Sequence, residues 1–339
     1  MQDKIDKAEW LQWLPKAELH LHLEGSITPS TLVELSHRND AVPLTLQQAA
    51  NIYQYHDFPS FLMSFKGVTE RLHTPADYEL ITYNMVRDLA LQGVRHAEAY
   101  LSIGILYRFA RLDVDDVMLA AERGRKRAEQ EFGVSLLWII DAVRHFGLEE
   151  CRRVFLKAAE LKKDMPSIVG IGIGGDEARG PAHDFRDLYA EAKANGLHLT
   201  CHAGESTGPE SVWSAINIGA ERIGHALTAI DDEDLIDVLA RRQIPLELNV
   251  TSNLRTGCCK ALDLHPVKRY FEEGLMITLN SDDPPFFGAN LLEEYLLVER
   301  EFAFSLEQMR ELAANSVEAS FLRPDRKLQL LGEIEQYGF

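Results

Sequence analysis

Residues 17–25 read Ala17-Glu18-Leu19-His20-Leu21-His22-Leu23-Glu24-Gly25, an apolar run in which two histidines stand two positions apart. Alternation of period two puts both imidazoles on one face of a strand, and Gly25 allows the chain to turn sharply beyond it. Two histidines side by side at a strand end suit two ligands of one metal ion. A pair of satisfied core histidines reads the same in isolation, so the rest of the chain has to decide between them.

Working outward, similar runs rich in β-branched and aliphatic residues recur at 93–102, 134–143, 168–177, 197–205, 222–227, 244–253 and 275–284. With residues 17–24 they make eight strands. Near-continuous apolar runs are what parallel strands show when helices cover one side and a packed interior the other. The segments between them, such as Glu149 to Lys163, Asp184 to Ala194 and Asp231 to Arg242, have helical periodicity and acidic starts suited to a positive helix N-terminus. Eight βα units imply an α/β fold, a (β/α)8 TIM barrel, with residues 1–339 forming one catalytic domain. Two additions are expected: a helical insertion of roughly 70 residues after the first strand, Ser26 to Gln92, with a loop around Tyr53 to Ser60, reading as a lid over the barrel mouth; and a C-terminal helical extension from about Leu291.

The 339 residues are 46% hydrophobic, enough for a large core, and carry 35 basic against 53 acidic side chains for a net charge of −18. That balance repels phosphate backbones and argues against a nucleic-acid partner. No run approaches a membrane span, and Met1 to Lys16 lack the features of a leader, so a cytoplasmic location is expected. The cysteines Cys151, Cys201, Cys258 and Cys259 show no Cys-x-x-Cys spacing and read as reduced thiols.

In such a barrel the chemistry sits at the C-terminal ends of the strands. The first strand ends in His20, His22 and Glu24, the fourth in Gly174, Gly175, Asp176 and Glu177, and the fifth in His202, Ala203, Gly204 and Glu205. The sixth ends in His225, the seventh in Ser252 and Asn253, and the eighth in Asn280, Ser281, Asp282 and Asp283. Three histidines and a carboxylate suit Zn²⁺ better than an oxygen-seeking ion, although Fe²⁺ or Co²⁺ also fits. A cation also explains how two adjacent aspartates are tolerated.

The segments PKAELHLHLEG, HAGE, RIGHA, TSN and LNSDDP, in this order, resemble the adenosine/adenine deaminase family of the metal-dependent amidohydrolases, from about Leu14 to Gly288. The resemblance implies that His20, His22, His202 and Asp282 ligate one zinc. It implies that Glu205 shuttles a proton to purine N1, and that His225 and Asp283 orient the attacking water and assist its deprotonation. The backbone N–H of Gly175 would donate to the purine ring. Water then adds at C6 and ammonia leaves. Two-metal relatives need a lysine at the end of the fourth strand, where Gly-Gly-Asp-Glu stands here, so a single metal is implied. The other zinc deaminase pattern, His-x-Glu followed by Pro-Cys-x-x-Cys, is absent. Asp176, Glu177, His96, His145, His183, His198 and His265 read as structural or solvated. A degenerate binding relative would have lost a ligand or the proton donor, and all of these are present.

The expected partner is a small-molecule purine nucleoside or base. Enzymes dedicated to adenosine usually carry Asp where Glu24 stands, and Ser281, Phe287-Gly288, Ala226 and Asn249-Val250 also depart from their pattern. Glu24 is expected to contact the substrate and to repel a 5′-phosphate. Free adenine is the alternative substrate. Another candidate is 6-aminodeoxyfutalosine, an adenine nucleoside of menaquinone biosynthesis that bears a benzoate, whose carboxylate Arg255 would clamp.

Overall fold

The protein is described here from a computed structural model covering residues 6–56, 58–109 and 112–338. Eight strands run in parallel and in sequence order: β1 (Lys16–His22), β2 (Val94–Leu101), β3 (Ser135–Val143), β4 (Ile168–Gly174), β5 (His198–Ala203), β6 (Arg222–His225), β7 (Leu246–Leu248) and β8 (Ile277–Leu279). Helices surround them, which makes the expected (β/α)8 barrel. The seam between β8 and β1 closes through Leu21 and Asp282. There Asp282 N–H donates to the His20 carbonyl and His22 N–H to the Asp282 carbonyl, both at 3.0 Å.

The alternation Ile-Val-Gly-Ile-Gly-Ile-Gly makes β4 apolar toward the helices and bare toward the barrel axis. The bareness is required, since a Cβ on Gly172 would lie 2.8 Å from both the Tyr100 ring and Thr200 Oγ1. The axis itself carries an ion ladder. Arg222, fully buried, pairs with Glu98 on one side and with Glu247 at 2.6 Å on the other, and Glu247 accepts from His20 Nδ1 at 2.8 Å. Burial pushes both carboxyls up, but Arg222 outweighs it: Glu98 is held down at about 2, and Glu247 also stays below the usual range.

Local chemistry sets the helix ends. Val114–Phe132 starts on Asp113, whose carboxylate accepts from the N–H groups of Asp115 and Asp116, and stops at Gly133 with φ +73°. The insertion after β1 is helical: Pro29–Asn39, Leu46–Ile52, Phe58–Thr69 and Pro75–Ala90. The loop expected around Tyr53 to Ser60 is therefore shorter, since a helix already begins at Phe58; residue 57 lies outside the described residues. The final strands are shorter than their apolar runs. Residues 250–253, the end of the run read as the seventh strand, instead belong to a helix (Val250–Arg255) whose Thr251 N–H is capped by the carboxyl of Glu294 at 3.2 Å. Of the C-terminal helices Leu291–Glu301, Leu306–Ala319 and Pro324–Gln336, the second packs on β8 and β1 and belongs to the barrel's outer ring, with Ser316 Oγ accepting from Ala17 N–H at 2.9 Å. Among the described residues no helix is long and apolar enough to cross a membrane.

Candidate metal centre and active site

The C-terminal ends of the strands surround a cavity of about 650 Å³, lined by His22, His202, Glu205, His225, Asp282 and Asp283. Phe61 and Phe65 of the insertion line it as well, and Phe61 stacks on Phe287 at 5.7 Å between ring centroids. The insertion thus covers the mouth as expected of it.

His20 and His22 leave β1 on the same face, and β5 and β8 bring His202 and Asp282 to them. Asp282 Oδ1 lies 3.3 Å from His22 Nε2 and 3.6 Å from His20 Nε2, and the Nε2 atoms of His22 and His202 are 3.4 Å apart. Four donors held 2.0–2.1 Å from a common tetrahedral centre stand about 3.4 Å from one another. The tautomers agree with that arrangement. His20 Nδ1 donates to Glu247 and His202 Nδ1 donates to the Ile173 carbonyl at 3.1 Å, so both present an Nε2 lone pair inward. His20 Nε2 is buried without a hydrogen-bond partner. Burial lowers His22 to about 4, helped by His20 and His225 against Asp282, and puts His202 well below its usual value. Neutral imidazoles are the metal-binding form. The donor set fits a divalent metal.

His225 is held by a chain of hydrogen bonds that starts at a backbone amide. Val267 N–H donates to His265 Nδ1 at 3.2 Å, so neutral His265 carries its proton on Nε2 and donates to Asn253 Oδ1 at 3.2 Å. That orients the Asn253 amide to donate from Nδ2 to His225 Nδ1 at 3.1 Å. His225 then presents an Nε2–H, not a lone pair, to the cavity. Burial keeps His265 neutral, lowering it to about 3. Both His225 (φ +65°) and Asp282 (φ +64°) adopt the left-handed backbone conformation, a strained state for residues with side chains, and here it aims both at the cavity.

Glu205 follows β5, with Oε2 3.7 Å from His225 Nε2. Its loop is fixed by Glu177, whose carboxylate accepts from the N–H groups of Gly204, Glu205 and Ser206 at 2.8–2.9 Å. The structural reading of Glu177 therefore acquires a specific task. Burial raises Glu205, with Asp282 and Glu177 adding to it against His225. Asp283 is raised well above the carboxylate range by burial and by Asp282, Glu24 and Glu205, whereas Asp282 is held below it by His20, His225 and His22 despite burial. The two adjacent aspartates are thus pushed in opposite directions, Asp282 toward the charged form and Asp283 toward the protonated one. The chain turns here as expected, in a 3-10 turn over Glu24–Ser26, and Gly25 also serves space: a Cβ there would lie 1.6 Å from Asp283 Oδ1. Gly175, at φ +87°, lines the cavity beside His145, which accepts from Asp176 N–H at 3.2 Å.

Two sequence candidates lie off the cavity's lining. Arg255 is exposed, and its Nε donates to the Phe287 carbonyl at 3.0 Å. Glu24 is buried beneath the insertion with Leu72, Tyr78 and Leu106, and burial pushes it up to about 7. Sequence reasoning passed over Asp141, Ser102, His145 and Arg179, all of which line the cavity, and His265 in the relay. A lone carboxylate in the apolar run LLWIIDAV was the available signal for Asp141; the others carried none.

A parallel barrel with a histidine-carboxylate cluster at its C-terminal mouth is the architecture of a metal-dependent hydrolase. The chain belongs to the adenosine deaminase family, whose model matches residues 15–337, and is a hydrolytic deaminase of adenosine-like substrates. It is 38% identical over 337 residues to an aminodeoxyfutalosine deaminase of Streptomyces avermitilis, covering 98% of this chain and 93% of that one. Among solved structures it resembles an adenine deaminase from Arthrobacter aurescens, with a TM-score of 0.87 and 29% identity, covering 95% and 98% of the two chains. It also resembles an amidohydrolase from Burkholderia ambifaria with bound zinc, with a TM-score of 0.86 and 25% identity over 99% and 95%.

Proposed function

We propose that the protein deaminates a 6-aminopurine nucleoside of the aminodeoxyfutalosine kind, with one zinc held by His20, His22, His202 and Asp282. The approach of Asp282 Oδ1 to the Nε2 atoms of His20 and His22, and of His22 Nε2 to that of His202, beside a His20 Nε2 without a hydrogen-bond partner among the described residues, supports the reading most directly. Zinc in such a site supplies Lewis acidity that makes water nucleophilic near neutral pH. The chain's own residues do the rest. Glu205, which burial pushes toward the protonated form, delivers its proton to purine N1 as water adds at C6, and receives one from that water for the departing amine. His225 orients the water through Nε2–H. Asp283, which burial and its acidic neighbours push toward the protonated form, donates to the ring, and the Gly175 N–H donates from the other edge. The C6–O bond forms, the bond from C6 to the amino nitrogen breaks, and ammonia leaves.

Arg179 supports a substrate with a distal carboxylate. It is the one arginine or lysine among the described residues lining the cavity, where Arg255 is engaged elsewhere. Steady-state ammonia release by zinc-loaded protein tests the reading on adenine, adenosine, AMP and aminodeoxyfutalosine, with Glu205→Gln as control. Preferred turnover of the last, reduced roughly 10²–10⁴-fold by Glu205→Gln, is expected. Turnover of adenine alone replaces the nucleoside reading with the free base, and inactivity on the whole panel overturns purine deamination.

A further inference from the structure

Asp141 stands near the open end of β3, two residues before the strand stops at Val143. Its side chain is almost wholly buried yet lines the cavity. Oδ2 accepts from Ser102 Oγ at 2.9 Å, whereas Oδ1 has no hydrogen-bond partner among the described residues. An acceptor taken out of water and left unpaired is costly, so its retention facing a cavity points to a donor that arrives with the ligand. The deamination chemistry makes no use of it: Glu205, His225, Asp283 and the histidine cluster already serve the reacting end.

We propose that Asp141 is the anchor for a sugar hydroxyl of the nucleoside, which donates to Oδ1 while Ser102 holds Oδ2. This rests on the nucleoside reading above and adds a specificity-determining residue to it. The order of strands around the barrel matches the order of atoms around the purine. Glu205 follows β5, Gly175 follows β4, and Asp141 lies on β3. With C6 at the histidine cluster and N1 at Glu205, the next nitrogen along that edge, N3, falls to Gly175. Beyond N3 comes N9, whose substituent is therefore delivered to β3. Gly174, where a Cβ would lie 3.6 Å from the His202 ring and 3.7 Å from Asp141 Oδ2, adds no side chain between the histidine cluster and Asp141. The donor is neutral. Asp141 itself, an acceptor with an unpaired Oδ1, suits a hydroxyl and disfavours an anion at this end.

The test couples the residue to the hydroxyl. The value of kcat/KM is measured for zinc-loaded wild type and Asp141→Ala on adenosine and its 2′-, 3′- and 5′-deoxy analogues. In the wild type, loss of one of these hydroxyls is expected to cost about 10–100-fold. In Asp141→Ala the same loss should cost no more than about twofold, because the partner is already gone. Asp141→Leu, of similar volume and with no acceptor, is read in the same way if Asp141→Ala does not fold. A wild type indifferent to all three hydroxyls overturns the inference, and so does a penalty undiminished in the variants; a general fall for every substrate is what a purely structural Asp141 would give. Turnover of adenine with every nucleoside inert overturns the nucleoside reading and this inference with it. Nucleoside turnover without a hydroxyl penalty overturns this inference alone.

Discussion

Asp283 occupies the volume that any side chain on residue 25 would fill. Gly25→Ala forces a clash at 1.6 Å, and the Asp283 carboxyl must leave its place. Gly25→Ala is expected to lower kcat by roughly 100-fold, as misplacing a positioning group does, while zinc content by metal analysis stays at the wild-type level. Near-normal kcat would show that Asp283 has no catalytic task. At the rim, Arg179→Gln should raise KM for a carboxylate-bearing nucleoside by about tenfold and leave KM for adenosine within about twofold, in the same ammonia assay. Equal effects on both substrates would remove Arg179 from substrate recognition. The residues legible in the sequence were those that a strand end displays in a short motif: His20 and His22 in one heptapeptide, His202 and Glu205 in another. Asp141 and Arg179 were hidden because their meaning lies in what faces them across the barrel. His265 was hidden because it acts only through Asn253.

At the scale of an element, the loop that carries Glu205 has little internal structure and is held by one carboxylate on the neighbouring loop. Glu177 takes three successive backbone N–H groups, from Gly204 to Ser206, and also the hydroxyls of Thr207 and Ser211. These bonds keep its pKa below the usual range in spite of burial. Glu177→Ala leaves those donors unpaired and should destabilise the protein by on the order of 3 kcal/mol in urea unfolding, with a fall in kcat greater than the rise in KM. Unchanged stability would mean that water replaces Glu177 at no cost. The helix Val250–Arg255 shows the converse failure of local reading. Its β-branched start favours a strand by propensity, and its cap comes from Glu294, 43 residues away. The helix is a tertiary product, whereas Asp113 and Gly133 mark the ends of Val114–Phe132 within the helix's own sequence.

For the whole molecule, the alternation of apolar runs was enough to count eight strands and to infer closure. The polar axis of the barrel was not inferred, since Glu98, Arg222 and Glu247 look like surface charges when read singly. Buried acids of this kind make stability depend on pH. Burial pushes Glu294 up to about 8 against the hydrogen bonds from Thr251 and Val250. A raised carboxyl gives its full contribution below the unfolded value near 4.5, and that contribution is lost as pH rises toward 8, because the unfolded chain ionises first. Glu294→Gln keeps an acceptor for Thr251 and cannot ionise. Its melting temperature should match the wild type near pH 5 and exceed it by roughly 5 °C at pH 8, by calorimetry. A constant difference across that range would place Glu294 in water when ionised. The seam of the barrel carries a further consequence, for biosynthesis. Asp282 bonds through its backbone to His20 and His22 across it, yet the chain between them contains every other strand. A nascent polypeptide still on the ribosome holds the first half of its metal cluster in a strand with no closing neighbour. The carboxylate of Asp282 joins the histidines only once the last strand has emerged, so a product truncated or stalled before it lacks that donor.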